Sequence, residues 1–515
     1  MVNFSPVNRV AGLISGLETQ KIIEDLMKAA RVPLNRLLQQ KQILQWQQED
    51  YRSINKKLMD FRLNYASPLR LQGTFQVKKA TSSDETAVTA VPGGSAQPGT
   101  YSIKVNQLAE VASNVSTLAL SASTTDKIDP NATLESQKAK FARPWGATTS
   151  LSFTITTYNP DGTPNSKTFT VDTTVDTLNT VLARINAEAS LGVTAFYDAS
   201  TDKVVISTTR TGDYPTIEIE IADVVDTFAL GTLALSSTAQ GKNAIVDING
   251  LTGITKYENT FTLNNITFTL KKTTASPVLI SVGTDTEKIF NTVKSFVEEF
   301  NALLDAIKQE LNEPRYADYL PLTKEQKEQL TDREIDQWEE KARSGLLRND
   351  TILSDIVYRL RRALTTPVTG LTGYDSLFDI GVRTGYYWEG GKLYVDEAKL
   401  REAINANPEA VMNLFTRSAE NFEEQGLGVR LYNEVNKAIN RVTAQAGSPY
   451  TLVDNSFLSR NIRELDERIE TMEERLARLE ERYWRQFTAL EQVLATLQAQ
   501  SNWLAGIAGQ AGSTK

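Results

Sequence analysis

Carboxylates are the side chains whose types and spacing come nearest to a chemical site in this sequence. Asp198, Asp202 and Asp213 lie near the ends of predicted strands, where acids from different turns can meet around a calcium ion. They lack the one-residue spacing and the central glycine of a calcium-binding loop. We therefore expect solvated turn residues at these three positions.

The 515-residue sequence contains no His and no Cys. Ser-His-Asp triads, Cys–His nucleophile pairs, ordinary zinc sites and disulfides are therefore excluded. Paired carboxylates can still hydrolyse glycosides, so this class of enzyme stays open. No glycine-rich turn is followed by Lys-Ser or Lys-Thr at the spacing of a nucleotide loop. We expect no cofactor and no metal.

An aromatic triplet is the second candidate for ligand binding. Tyr386-Tyr387-Trp388 precedes a glycine turn and the segment Leu393-Tyr394-Val395. The rings could stack on a sugar, or they could pack within a β-hairpin. We favour hairpin packing.

Charge and hydropathy limit the partners. The formal net charge is −8, and Lys and Arg are interspersed with acids, which argues against binding nucleic acid. No apolar run approaches the roughly 18 residues of a membrane span, and the N-terminus has no cleavable signal pattern. We expect no membrane insertion.

The C-terminal region carries the repeat of a coiled coil. Apolar residues recur at alternating steps of three and four, which is the seam of two packed helices. These seam positions are Ile462, Leu465, Ile469, Met472, Leu476, Leu479 and Tyr483. An extra step of four to Phe487 predicts a stutter that locally unwinds the supercoil. Because its seam alone cannot offset the entropy of ordering so long a helix, this helix must pack against others.

A matching helix is predicted near the N-terminus. Its seam positions are Leu37, Leu44, Tyr51 and Leu58, with the polar residues Lys41 and Gln48 between them. Polar seam residues weaken a pair but determine its register. Because the two predicted helices have similar lengths, we expect them to lie antiparallel. Pro33 is predicted to separate this helix from a preceding helical segment.

Both chain ends carry apolar residues that no core accounts for. Trp503 and Leu504 precede a tail of small residues that cannot form a core, so they are predicted to meet a partner. The predicted interface with other subunits or a partner protein comprises Leu13, Ile14, Leu17, Ile22, Leu26, Leu490, Leu494, Leu497, Trp503 and Leu504.

Between the helices lie short Thr-rich segments with alternating apolar residues, typical of half-exposed strands. The predicted fold is α+β and multidomain, with a terminal helical coiled-coil or bundle leg and inserted, mainly-β head domains. The predicted domains are a terminal segment of 1–33 with 488–515, a helical leg of 34–73 with 284–487, a first β head domain of 74–112 with 243–283, and a second of 113–242.

Three segments carry motifs of a known protein family. Residues 12–19 read Gly-Leu-Ile-Ser-Gly-Leu-Glu-Thr. Residues 167–207, with Ile185-Asn186, resemble the repeat named for that pair in flagellin and hook proteins. Together with the run from Pro321 to Asp350, which is the most specific similarity, they resemble the flagellar filament cap family, also called flagellar hook-associated protein 2. Glu18 stands where Asp is more usual in that family's N-terminal signature.

The resemblance implies a protein without enzymatic activity. It would form a homo-oligomeric ring, a pentamer, at the distal tip of the bacterial flagellum, with its terminal helices as legs. There it would retain exported flagellin and promote its folding and insertion. Further implied partners are a flagellar export chaperone, the export apparatus and the hook–filament junction proteins. The implied location is extracellular, reached through the flagellar type III apparatus without a cleaved signal peptide.

Two other functions stay open from the residues alone. The Thr-rich β domains could belong to an extracellular adhesin that binds host or surface glycans. A carboxylate-based glycosidase on the same β scaffold is the enzymatic alternative. The cap family is favoured because it accounts for both the terminal helices and the β region.

Overall fold

A computed structural model describes residues 18–213, 218–386, 389–448 and 454–511, with the side chains of 506–511 left out. The chain divides into two compact units. The helical unit comprises Met1–Phe75 and Thr286–Lys515, and the strand-rich unit comprises Gln76–Asp285. A helical unit interrupted by a strand-rich unit confirms the predicted α+β multidomain class.

The helices of the described residues belong to the helical unit except for α4. They are α1 Thr19–Phe61, α2 Ser67–Leu69, α3 Gln72–Phe75, α4 Leu178–Ala187, α5 Thr286–Asn312, α6 Lys324–Lys327, α7 Asp332–Arg343, α8 Thr351–Thr365, α9 Glu397–Ala406, α10 Pro408–Thr416, α11 Leu427–Ala446 and α12 Phe457–Ala511. A five-residue π-helical turn, Arg62–Ala66, continues α1 towards α2.

The predicted helix break at Pro33 is wrong. Helix α1 runs without interruption from Thr19 to Phe61 and contains Pro33. Pro33 lies on the exposed side of the helix. Proline has no N–H to bond the carbonyl one turn earlier, and on the exposed side water can bond that carbonyl instead. Packing of the opposite face keeps the helix intact.

Helix α5 forms the centre of the helical core. The apolar stripe that periodicity predicts on it is buried, namely Ile289, Val293, Phe296, Val297, Phe300, Leu303, Leu304 and Ile307. Phe296 stacks in a cluster with three other rings, at 6.3 Å from Phe61, 6.0 Å from Phe300 and 6.5 Å from Phe415. The cluster therefore ties α1, α5 and α10 together.

Two capping boxes begin the charged helices α6 and α7, as the sequence predicts. Thr323 and Gln326 exchange side-chain and backbone hydrogen bonds at the start of α6. Thr331 and Glu334 do the same at the start of α7. These bonds satisfy N–H groups that the first helical turn cannot pair internally.

Within the described residues the strands form five sheets. They are β1 Lys78–Ser82, β2 Val88–Pro92, β3 Gly99–Gln107, β4 Val111–Val115, β5 Ser150–Tyr158, β6 Pro164–Asp172, β7 Val193–Asp198, β8 Lys203–Thr211, β9 Ile219–Val225, β10 Thr238–Ala239, β11 Ala244–Ile248, β12 Leu251–Lys256, β13 Thr260–Leu263, β14 Ile266–Leu270, β15 Val278–Thr284, β16 Val382–Thr384 and β17 Leu393–Val395. The strand orders are β1-β15-β3-β11-β12, β13-β14-β2, β10-β9-β5-β6, β4-β8-β7 and β16-β17.

The predicted hairpin at the aromatic triplet is shifted. Strand β17 pairs with Val382–Thr384 rather than with the triplet. Tyr386 lies after β16 and is exposed, whereas Tyr387 and Trp388 lie outside the described residues. Glu389 accounts for the shift, because its carboxylate accepts hydrogen bonds from the Tyr386 N–H and the Tyr394 hydroxyl and closes the turn.

The described part of the strand-rich unit has two separate clusters of buried side chains. One lies among β1 to β3 and β11 to β15. The other lies among β4 to β9 with α4 against them. In the second cluster, Ile185 of the Ile-Asn pair is buried. Its neighbour Asn186 donates to the Ala195 carbonyl at 2.8 Å and accepts from the Ala195 N–H at 2.6 Å, so it pins α4 to β7.

Asp202 is buried, so the prediction that it is a solvated turn residue is wrong. Its side chain is 3% exposed and its φ is +56°. It accepts hydrogen bonds from the Ser121 N–H and the Tyr197 hydroxyl, both at 2.7 Å. Asp198, by contrast, accepts from Ser200 and Thr201 in its own turn. Among the described residues no group of acids is arranged to hold a metal ion.

We expect Asp202→Ala to weaken the strand-rich unit by about 3 kcal/mol, because two buried donors lose their acceptor and Ala disfavours positive φ. Hydrogen exchange of the β8 amides in the full chain measures this loss. Asp202→Asn keeps one acceptor oxygen and tolerates the left-handed backbone, so its loss should be about half. Asp198→Ala is the control, because Asp198 is only half-buried and bonds within its own turn. Equal protection in Asp202→Ala and Asp198→Ala would contradict the structural role of Asp202.

Candidate assembly site

The terminal helices α1 and α12 pack along each other and form the candidate assembly site. Their contact is a cluster of buried and half-buried apolar side chains, distinct from the core around α5. The buried members are Ile23, Met27, Leu34, Ile469, Leu476 and Trp484, and the half-buried ones are Ala30, Leu37, Met472, Leu479, Tyr483 and Phe487.

Seven predicted seam positions meet in this cluster, and others do not. The seven are Leu37, Ile469, Met472, Leu476, Leu479, Tyr483 and Phe487. Leu44, Ile462 and Leu465 are half-buried outside it. Tyr51 and Leu58 are buried further along α1. There the Tyr51 hydroxyl donates to Asp350 at 2.5 Å, and burial and this carboxylate raise the pKa of Tyr51.

The polar seam residues have specific partners on or before α12. Lys41 forms an ion pair with Asp466 at 2.5 Å. The Gln48 amide donates to the Ser459 hydroxyl at 2.6 Å, and Ser459 in turn donates to Asp454 at 2.7 Å. These pairs join α1 to α12 by directional bonds, which set the register of the two helices.

Sequence reasoning missed Trp484, which is buried in the pair, and selected its half-buried neighbour Tyr483. The sequence feature that could have identified Trp484 is the four-residue step from Tyr483 to Phe487. A stutter shifts the seam around the helix, so two adjacent positions share the contact. Ile23 and Met27 were also missed as seam residues, because the expected break at Pro33 placed them in a separate segment before the seam helix.

The last part of α12 presents large apolar side chains to solvent. Their exposed fractions are 46% for Leu490, 58% for Val493, 55% for Leu497, 66% for Trp503 and 59% for Leu504. Leu494 is half-buried. On α1, Leu26 is exposed and Ile22 is half-buried, whereas Leu13, Ile14 and Leu17 lie outside the described residues. Exposed apolar residues clustered on one helix end are typical of interaction surfaces, so the interface predicted here stays a prediction.

The described helices include none that is both long and apolar enough to cross a membrane. Helix α12 has the length but carries acids and bases along its outer face as far as Glu491. Its i, i+4 pairs are Glu464 with Arg468, Glu474 with Arg478 and Glu481 with Arg485.

Comparisons with known proteins agree with this arrangement. The family descriptions "Flagellar hook-associated protein 2 N-terminus" and "C-terminus" match residues 15–112 and 241–499. A flagellar hook-associated protein 2 of Halalkalibacterium halodurans is 34% identical over 96% of this chain and 98% of its own. One of Thermotoga maritima is 25% identical over 96% of this chain and 95% of its own.

A solved structure supports the fold. The D1-D2-D3 domains of the flagellar cap protein FliD from Escherichia coli align with a TM-score of 0.53 at 20% identity. The alignment covers 81% of this chain and 99% of that one. With both family descriptions and a relative similar over nearly the whole length, the chain belongs to the flagellar hook-associated protein 2 family, whose members are structural proteins rather than enzymes, as the sequence motifs predict.

Proposed function

We propose that the chain caps the distal tip of the bacterial flagellar filament, outside the cell, as a ring of identical subunits. The exposed apolar end of α12 carries this proposal. A helix of 55 residues that pairs with α1 along part of its length leaves its last turns with apolar side chains in solvent. Such a surface is costly for a monomer and is explained by a partner in the assembly.

The size of this surface suits reversible assembly. Burying five large apolar side chains contributes about 10 kcal/mol at roughly 2 kcal/mol each. Association costs about 4 to 15 kcal/mol in lost freedom, so a single contact of this size is weak. A closed ring repeats the contact at every subunit, which makes the complete assembly stable while each contact stays exchangeable. We propose five subunits.

In this role the terminal residues, 1–33 with 488–515, act as legs that contact flagellin and neighbouring subunits. Residues 34–73 with 284–487 support these legs. The β head domains cover the filament end, where exported flagellin emerges; they comprise residues 74–112 with 243–283 and residues 113–242. Flagellin that arrives unfolded is retained beneath the ring until it folds and inserts. An export chaperone and the type III apparatus deliver the chain, and the hook–filament junction proteins are its first contacts.

The polar seam pairs provide adjustable contacts in this account. Replacing both Lys41 and Gln48 by Leu should leave the helical unit folded, with a change in stability of about 1 kcal/mol or less. Filament elongation should nevertheless slow, because polar seam residues weaken the pair and apolar ones would hold α1 and α12 together more tightly. Circular dichroism and filament length measure the two effects. Normal elongation by a folded double variant would contradict the adjustable seam.

The test of the proposed function is complementation of a bacterium that lacks its own flagellar cap. With this chain present, flagellin should be retained and filaments should elongate. If the chain is exported but flagellin still escapes into the medium, the proposal is wrong. No observation on the described residues favours a glycan-binding adhesin, so we do not propose one.

A further inference from the structure

Residues 314–344, here called the strap, form an excursion from the helical unit between α5 and α8. They include the charged helices α6 and α7. We propose that the strap is a detachable cover of α1, which undocks from α1 and redocks while the rest of the helical unit stays folded. This inference is independent of ring formation, since none of its contacts involves the exposed end of α12.

The two ends of the strap are fastened to each other. The Ser344 hydroxyl donates to the Pro314 carbonyl at 2.7 Å, and the Gly345 N–H donates to the Glu313 carboxylate at 2.6 Å. Gly345 has a φ of +67°, and a Cβ atom there would come within 2.7 Å of the Pro314 carbonyl oxygen. This tight crossing is a fixed base about which the rest of the strap can turn.

The strap also has internal contacts of its own. The rings of Tyr319 and Trp338 lie 4.7 Å apart, and the Trp338 indole N–H donates to the Leu320 carbonyl at 2.8 Å. An ion pair of 2.5 Å joins Lys327 to Glu339. These contacts connect the two arms of the strap without any contribution from α1, so they can persist when the strap leaves α1.

By contrast, the strap is held on α1 chiefly by polar groups. The Gln39 amide donates to the Pro321 carbonyl at 2.8 Å, and Arg31 lies 3.9 Å from Glu325. Within residues 314–344 only Pro321 and Ala342 are buried. Helix α8, which follows, buries five apolar side chains. With so little apolar burial, undocking the strap costs far less than unfolding the helices beneath it.

Arg343 is the strongest of these docking contacts. It forms ion pairs with Asp50 at 2.7 Å and Glu49 at 3.2 Å. Asp50 is largely buried, and burial raises its pKa despite the guanidinium. Glu310 and Glu313, at the end of α5, add further negative charge beside Asp50. Lys57 is a second cation that acts on Glu310.

Arg343 therefore neutralises an excess of acids. In the undocked strap Arg343 no longer pairs with these acids, which then interact with water and Lys57. Salt screens the ion pairs of the docked strap, so rising salt should favour the undocked strap. With the strap docked, a cleft of about 230 Å³ lies between it and α1. The α1 side of this cleft, which undocking would expose, is lined by Asn35, Leu38, Gln39, Lys41, Gln42 and Gln45.

Pulsed electron paramagnetic resonance between two spin labels tests the proposal directly. The chain has no native Cys, so Arg36→Cys on α1 and Glu328→Cys on the strap are the sole labelling sites. The docked strap should give one short distance, and a longer one should grow as salt rises from about 0.05 to about 0.5 M. A second labelled pair, Lys56→Cys with Asn312→Cys, should not change and so verifies that α1 and α5 stay together.

Substitutions then test whether Arg343 holds the strap on α1. Arg343→Gln should raise the undocked-to-docked ratio about tenfold, because it leaves the acids on α1 unpaired. Arg333→Gln on the exposed face of α7 is the matched control and should change the ratio less than twofold. Glu310→Gln should also raise the ratio, though less than Arg343→Gln, since it removes one of the negative charges that attract Arg343. A single short distance that neither salt nor Arg343→Gln alters would overturn the proposal, as would equal effects of Arg343→Gln and Arg333→Gln.

Discussion

Replacing Arg430 by Met is expected to lower the free energy of unfolding of the helical unit by about 4 kcal/mol. Arg430 on α11 is fully buried. Its guanidinium donates to the backbone carbonyls of Phe422 at 2.6 Å, Thr366 at 2.5 Å, Pro367 at 3.1 Å and Glu423 at 2.7 Å. Methionine fills similar space but donates to none of these carbonyls, so buried acceptors stay unsatisfied.

Chemical denaturation followed by far-ultraviolet circular dichroism measures this loss. Arg441→Met is the matched control, because Arg441 lies on the same helix and forms a half-exposed ion pair with Asp355. Its loss should be below about 1 kcal/mol. If both variants unfold at the same denaturant concentration, the hydrogen bonds from Arg430 to the four backbone carbonyls do not stabilise the helical unit as proposed.

Replacing Leu497, Trp503 and Leu504 together by Gln is expected to abolish assembly in solution. The three side chains are exposed in the single chain, so their loss should leave its fold and helix content unchanged. It removes about 6 kcal/mol of apolar burial from each contact, at roughly 2 kcal/mol per side chain, which is a large share of what the contact can contribute.

Light scattering of the full chain measures the effect, with the triple variant expected at the mass of one chain. The matched control replaces Gln492, Gln498 and Gln500, exposed polar residues of the same helix, by Ala. This control should assemble like the unchanged protein. If the apolar triple variant and the polar control assemble equally, the apolar end of α12 is not the interface.

Sequence periodicity predicted what depends on one element alone. The buried stripe of α5 and the capping boxes before α6 and α7 follow from spacing within a few helical turns, and the structure confirms them. The α+β class follows from the change between periods of 3.6 and 2 along the chain. The coiled-coil repeat similarly indicated which helices pair, because α1 and α12 carry matching seams.

The features that the sequence did not reveal depend on contacts between distant residues. Asp202 is buried because Ser121, 81 residues away, supplies an N–H to its carboxylate. Arg430 has a partner 64 residues earlier, and no local pattern distinguishes it from a surface arginine. Pro33 stays inside α1 because its exposed side faces water, and only the packing of the opposite face shows which side that is.

Electron microscopy of gold-labelled chain on growing filaments tests the central claim most directly. The exposed Glu258 of the strand-rich unit can be changed to Cys, which provides one thiol per chain in a protein without Cys. A ring at the tip predicts label at the distal end of each filament and at no point along its length. Label distributed along the filament, or confined to the cell surface, would contradict the cap account.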